Sequence, residues 1–401
     1  MRKYVCILLL ALFVGTVCKK KEEARGLKVG VVLPLSGSLG TYGGPMINGI
    51  KLAVKEINEA GGVLGDTIIL VIKDSETDTL KAVEKAKELV EQEGVKFIIG
   101  AASSGVTKKV LEYTKNMGVL LMNGCSTSPY FTTCDDNGLF FRTCPSDALQ
   151  GKALAKLANK EGYTKASIIY VDNPYGEGLA DAFEEAFTAL GGQVLAKVPY
   201  TEGQASYADV VDSAFSPGPE VCILIAYPKE GGTIIRDWAA GGYGGTFLFT
   251  DGLKSEDFIT NAGAENVEGM KGTAPYTGGP NFDKFCDMYQ QEFGEDPRQY
   301  VFCDTHYDAM ILLALGIIKA GVCEPDSVKK VLQSVSAPPG DTVNVGEFKT
   351  AVSLLNQGKD INYEGASGPV DFDEVGDVTA NYEVWKIENG QIVSAIEIIT
   401  P

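Results

Sequence analysis

The segment "KVGVVLPLSGSLGTYGGPMINGIKLAVKEINEA" (residues 28–60) decides the fold. It opens on a short apolar run rich in β-branched residues, which predicts a strand. It closes on a helical pattern over 45–60, with Ile47, Ile50, Val54 and Ile57 on one face. The turn between them, 34–45, is rich in glycine. Strand, turn and amphipathic helix form the unit of a parallel α/β sheet. A phosphate loop would read GxxxxGK[ST] and a dinucleotide turn GxGxxG. Here "GSLGTYG" (37–43) is GxxGxxG, without a following GK[ST] or a suitably placed acid on the next strand. No cofactor is therefore expected.

The same unit recurs along the chain. Strands are predicted at 28–33, 67–73, 96–100 and 119–123, then at 166–171, 193–198, 221–227 and 246–250. A helix over 79–93 would bury Leu80, Val83, Ala86 and Val90. Strands this apolar should be covered on both faces, as in parallel sheets. The β-α-β-α order runs twice, before and after about residue 145, so two doubly wound lobes are expected. Residues 277–378 read as mostly helical, for example "YVFCDTHYDAMILLALGIIKA" and "DSVKKVLQSV". The stretch "GPVDFDEVGDVTANYEVWKIENGQIV" (368–393), with its Asn-Gly turn, reads as a β-meander.

The first eighteen residues differ from the rest. "MRKY" is basic, and "VCILLLALFVGTV" is a thirteen-residue apolar run. That is shorter than the about 18 residues of a spanning helix and suits a signal peptide. Residues 1–18 resemble a lipoprotein-type signal with Cys18 as the lipidated residue, although Val17 stands where that pattern has a small residue. Residues 19–26 form a polar tether. Removing residues 1–18 takes Arg2 and Lys3 from the 35 basic residues and nothing from the 53 acidic ones, leaving a formal charge of −20. Nucleic acid and anionic lipid are poor partners for such a surface. Seven cysteines lie beyond Cys18, an odd number. Cys125, Cys134 and Cys144 are near enough in sequence to pair locally, and no pairing is assigned. With one histidine, His306, and no CxxC, a zinc site is not expected.

Two more small-residue loops, "GAASSGVT" (100–107) and "NGCSTSP" (123–129), leave predicted strands at their carboxyl ends. Together with the 34–45 turn they fall on one sheet edge, where open α/β sheets bind ligands. Helix N-termini there present free N–H groups and about half a positive charge. With Ser104 and Thr127 they suit a carboxylate, without any Arg or Lys. Both hydroxyls also suit helix capping.

These segments, with "VDNPYGEGLADAF" (171–183) and the closing stretch, resemble the periplasmic branched-chain amino acid binding proteins of ABC transporters, the Leu/Ile/Val-binding protein family. The resemblance runs from about residue 27 to the end. It implies a type I periplasmic-binding fold, two Rossmann-like lobes joined by three crossings. Lobe 1 would be 27–146 plus 277–378, and lobe 2 would be 147–276 plus 379–401. It further implies that Ser104 and Thr127 hold the ligand carboxylate. Cys125 (through its carbonyl), Thr127 and Asp251 in "LFTDG" would hold the ammonium. Tyr42, Ala101, Ala102, Tyr175, Tyr227 and Phe302 would line the cleft. Some relatives carry a lobe 1 disulfide near "KDSETD" and "GAASS", where this chain has no cysteine.

No GxSxG, HExxH or paired-carboxylate pattern points to catalysis, and His306 reads as a helix residue near the cleft. The resulting expectation is an exported, monomeric binding protein. It would close on an apolar amino acid and dock on a membrane permease. The alternative is a sensor of amides or amino acids acting on a regulatory partner. An enzyme on the same scaffold would show turnover instead of stoichiometric binding.

Overall fold

The computed structural model describes residues 26–401; the signal, the lipidation site at Cys18 and most of the tether lie outside the described residues. Five strands build the first sheet: β1 (Gly26–Leu33), β2 (Thr67–Asp74), β3 (Phe97–Gly100), β4 (Leu120–Asn123) and β5 (Phe140–Arg142). All pair in parallel, in the order β2-β1-β3-β4-β5. The second sheet begins with β6 (Lys165–Val171), β7 (Gln193–Tyr200), β8 (Val221–Ile225), β9 (Thr246–Phe249) and β10 (Lys271–Pro275). A small sheet follows, from β11 (Asp341–Asn344), β12 (Ile361–Gly365) and β13 (Gly368–Pro369). The last two strands, β14 (Tyr382–Glu388) and β15 (Gln391–Ile399), return to the second sheet, which runs β15-β14-β10-β9-β8-β6-β7.

The chain thus passes between the two sheets three times: after β5, after β10 and before β14. Between the last two passages, helix Cys303–Ala320 packs along helix Gly40–Glu59 and against β3 and β4. The helical region therefore belongs spatially with the first sheet. The inner strands are apolar on both sides because helices cover both faces: every residue of β3, β4 and β8 is buried.

All eight predicted strands are present, and five details of the prediction change. Helix Gly40–Glu59 starts five residues before the expected 45. Its glycines allow this: a Cβ on Gly43 would stand 1.7 Å from the Pro34 carbonyl oxygen, so only glycine lets this helix abut the end of β1. Of the expected face, Ala86 is buried and Val83 and Val90 are half-buried, but Leu80 is 81% exposed, and Ala82 and Leu89 complete the buried stripe. The N-cap Asp78 fixes the helix start, and Leu89, seven residues after Ala82, falls on the same face as the helix passes into the widened turn Glu88–Gln92.

Residues 368–393 are not one meander. β13 pairs in the small sheet, while β14 and β15 form a hairpin in the second sheet. Their turn, Asn389–Gly390, has φ 54° and 70°, the Asn-Gly hairpin geometry expected. "DSVKKVLQSV" breaks into Pro325–Val328 and Gln333–Ser336. The small sheet and the short strands β5 and β10 were not anticipated. All seven cysteines among the described residues are free thiols.

Candidate functional site

The carboxyl ends of β1, β3 and β4 face those of β6, β8 and β9 across a cleft. A small cavity lies there, lined by fourteen residues. From the first-sheet side come Leu39, Tyr42 and Met46 at the start of helix Gly40–Glu59, and Ala102, Ser103 and Ser104 after β3. Cys125 and Thr127 follow β4, and Val301 and Phe302 precede helix Cys303–Ala320. From the second-sheet side come Tyr175, Tyr227, Asp251 and Gly252.

Nine of the ten cleft residues expected from sequence line this cavity. Ala101 does not. The chain turns as it leaves β3, where Gly100 has φ 151° and Ala102 φ 69°. That turn points Ala102 at the cavity and leaves Ala101 in the core beside Val32, Ile98 and Val106. Leu39, Met46, Ser103, Gly252 and Val301 were missed. Leu39 and Met46 could have been found, because each lies within four residues of Tyr42 across the helix start.

A buried polar network shapes the first-sheet wall. Asn123, at the end of β4, donates to the Gly100 carbonyl at 2.6 Å. Its Oδ1 accepts from Cys125 N–H at 2.8 Å and Ser126 N–H at 2.6 Å. The Ser126 hydroxyl donates to the Ala102 carbonyl at 2.8 Å and meets Thr107 Oγ1 at 2.7 Å. Arg142, wholly buried, braces the loop. It donates from Nη1 to the Ser126 and Ser128 carbonyls at 3.1 and 2.8 Å, and it forks onto Asp377 with both N–O distances 2.6 Å. Ser104 opens helix Ser104–Thr114 and does not cap it; its Oγ accepts from Ser128 N–H at 3.3 Å. The free N–H end of that helix points toward the cavity.

One acid, Asp251, lines the opposite side, and a second, Asp147, stands behind the lining against Thr127. Asp251, 3% exposed, accepts from the Tyr175 hydroxyl at 2.9 Å. Burial raises its pKa, against the lowering effect of that hydrogen bond. Asp147 was not anticipated as a site residue. It begins helix Asp147–Lys160, is fully buried, and accepts from the Thr127 hydroxyl at 2.9 Å. Its other oxygen has no hydrogen-bond partner among the described residues. Burial, then the charge of Asp251, pushes its carboxyl well above the ordinary range. No Lys or Arg is among the lining residues.

Hydrogen bonds join the two walls. Tyr42 donates to the Gly252 carbonyl at 3.1 Å, Ser128 to the Pro174 carbonyl at 2.6 Å, and the Ser103 and Tyr227 hydroxyls meet at 3.2 Å. The rings of Tyr175 and Tyr227 lie parallel, 5.9 Å apart. A Cβ on Gly178 would stand 2.6 Å from Pro129 across the cleft, so glycine permits this close approach. The Cys125 thiol stays neutral, since burial raises its pKa well above the usual range. His306 lies outside the cavity lining. It is buried in its helix with Nδ1 2.6 Å from the Phe302 carbonyl, and burial lowers its pKa to about 4.

Two sheet lobes closing on a small cavity define a two-lobed binding protein. The chain belongs to the periplasmic binding protein family, whose model matches residues 26–391. It is 30% identical over 372 residues to a chemotactic signal transduction system substrate-binding protein, BasB, of Halobacterium salinarum, covering 91% of this chain and 87% of that one. The Leu/Ile/Val-binding protein BraC3 of Rhizobium johnstonii is 28% identical, with 92% and 94% covered. The crystal structure of a leucine-binding protein, LivK, of Thermotoga maritima superposes with a TM-score of 0.80 at 26% identity, covering 94% of this chain and 99% of that one.

Proposed function

We propose that this protein captures an α-amino acid with an apolar side chain, branched or aromatic, and delivers it to the membrane permease of an ABC transporter. One observation carries the reading: a buried acid, Asp251, backed by Asp147, faces a helix N-terminus and hydroxyls across a cavity whose lining contains no basic residue. An ammonium relieves the acids, and a carboxylate meets the N–H groups and hydroxyls.

In this assignment Ser104 and Thr127 hold the carboxylate. Asp251, the Thr127 hydroxyl and the Cys125 carbonyl hold the ammonium, and Asp147 acts through Thr127. Tyr42, Ala102, Tyr175, Tyr227 and Phe302, with Leu39 and Met46, enclose the side chain. Lobe 1 (27–146 plus 277–378) binds first; lobe 2 (147–276 plus 379–401) then swings in with Asp251 and Tyr227. Contacts made only in the closed form shift the population toward it. Export through residues 1–18, with lipid on Cys18, would hold the protein at the outer face of the cytoplasmic membrane.

The likeness to BasB, named for chemotaxis, favours a second reading: the same closure reporting an amino acid to a signalling partner. Calorimetry against the twenty amino acids tests the binding reading. Leucine, isoleucine, valine or phenylalanine should bind one to one, and Asp251→Ala should weaken binding by about 2–5 kcal/mol, the loss for truncating one side of a buried charged hydrogen bond. Unchanged affinity in that variant rules out Asp251 as the ammonium partner. Co-purification with permease subunits or with a transducer separates the two readings.

A further inference from the structure

A second chamber lies behind one wall of the amino acid cavity. It is small, and its lining includes Lys254, Thr277, Tyr300 and Asp304. Val301 and Phe302 line both spaces and so form the partition between them. Phe302 has φ 67°, a left-handed conformation uncommon for a bulky residue, at the position just before helix Cys303–Ala320.

The two spaces differ in chemistry. Leu39, Met46, Val301 and Phe302 give the cavity its apolar lining, the last two at the partition itself. The chamber beyond sets two charged side chains, Lys254 and Asp304, among apolar ones such as Phe282 and Phe285. Lys254 is paired with Glu383, both being nearly buried. Asp304, 5% exposed, keeps one oxygen, Oδ2, without a hydrogen-bond partner among the described residues. Its place in the first helical turn suits a negative charge, but this does not satisfy the remaining oxygen. A buried carboxylate oxygen is costly unless a donor faces it. Burial, followed by the charge of Asp308, raises the Asp304 pKa to about 7 against the pull of Lys254. A cation arriving there would return the group to its charged form.

We propose that this chamber is a latent second subsite for a cationic or hydrogen-bond-donating group at the tip of an unbranched amino acid side chain, with Phe302 as the residue that closes it off and restricts the protein to shorter apolar ligands. The proposal rests on reading the main cavity as an α-amino acid site. A side chain that runs along the apolar end meets Phe302. Behind that ring lies the chamber whose lining carries the Asp304 carboxylate.

The test is calorimetry of the full chain with leucine, norleucine and lysine. The parent should bind leucine and bind lysine about 100-fold more weakly. In Phe302→Ala, lysine should gain roughly tenfold or more while norleucine gains less than about threefold. Adding Asp304→Asn should remove the lysine gain and leave norleucine unchanged. Equal gains for norleucine and lysine would show added space without recognition and overturn the subsite. No lysine gain with leucine still bound overturns it as well. Failure of leucine and every other amino acid to bind the parent would instead sink the underlying amino acid reading. If thermal melting shows Phe302→Ala unfolded, Phe302→Val carries the same comparison.

Discussion

The two walls of the cleft solve their electrostatics in opposite ways. On the first-sheet side, Asn123, Ser126, Thr107 and Arg142 meet one another and the backbone carbonyls, and the hydrogen bonding closes within the protein. Across the cleft, Asp147 and Asp251 share a buried region without a basic side chain in the lining, and an Asp147 oxygen has no partner among the described residues. Buried polar groups that are satisfied stabilise a fold, and buried charges that are not satisfied weaken it. The first wall is therefore a scaffold. The second buries acids at some expense of stability in the ligand-free protein, and on the proposed reading that charge serves as a reserve for the ligand's ammonium.

The comparison breaks most visibly at Arg142. Its guanidinium carries the fork to Asp377 and the two carbonyl contacts, and Asp377 lies on the returning passage before β14. Arg142→Ala leaves Asp377 buried with its charge uncompensated and frees the Ser126 and Ser128 carbonyls. A loss of about 3–5 kcal/mol in unfolding free energy is expected from breaking such a pair on one side. Urea unfolding measures it. A change under about 1 kcal/mol would mean that the first wall does not depend on this brace.

Asp147→Asn probes the other wall with the opposite sign. The amide oxygen can still accept from Thr127, so the shape is kept and the charge goes. Amino acid affinity should fall by about 2 kcal/mol, near thirtyfold, while the ligand-free protein becomes more stable at pH 8. The pH dependence follows from the direction of the shift. Asp147 has a folded pKa raised above its unfolded value of about 4. Its stability contribution is present below that unfolded value and lost as pH rises through the folded one. Melting of the ligand-free parent should therefore decline from acidic toward alkaline pH more steeply than that of the variant, while affinity in the parent rises. Parallel melting curves for the two proteins would remove Asp147 from the charge reserve.

The sequence made the scaffold legible and left most of the reserve hidden. Apolar runs such as "VCILI" announce buried parallel strands, because solvent on either face would demand alternation. Three hydroxyl-rich loops on one edge pointed to Ser104 and Thr127. Asp251 came from the resemblance, because an Asp-Gly after a strand also reads as a turn. Asp147 looked like an ordinary first-turn acid; only the packing of its helix against β10 and helix Pro174–Ala189 buries it. Ala101 was misplaced because a single turn of backbone, at Gly100 and Ala102, decides which of two adjacent alanines faces the cavity. Leu80 failed for a different reason. The buried stripe runs through Ala82, Ala86 and Leu89 at ordinary helical spacing, and Leu80, two residues after the cap, falls off it.

The smallest effect is the most discriminating. Ser104→Ala removes one hydroxyl from the first wall but leaves the backbone N–H groups and the helix dipole, so most of the carboxylate site survives. Leucine should weaken about tenfold, the low end for a hydrogen bond to a charged group. Stability should change little, since the hydroxyl accepts only a long 3.3 Å bond from Ser128. Leucinamide, which keeps the ammonium and the side chain but lacks the carboxylate charge, separates ligand contact from local packing. If Ser104 touches the carboxylate, leucinamide already binds weakly to the parent and loses almost nothing further in the variant. If Ser104 serves only to seat the Ser128 loop, both ligands lose the same factor. In that case the anion end rests on backbone N–H groups alone, and the first wall is scaffold throughout.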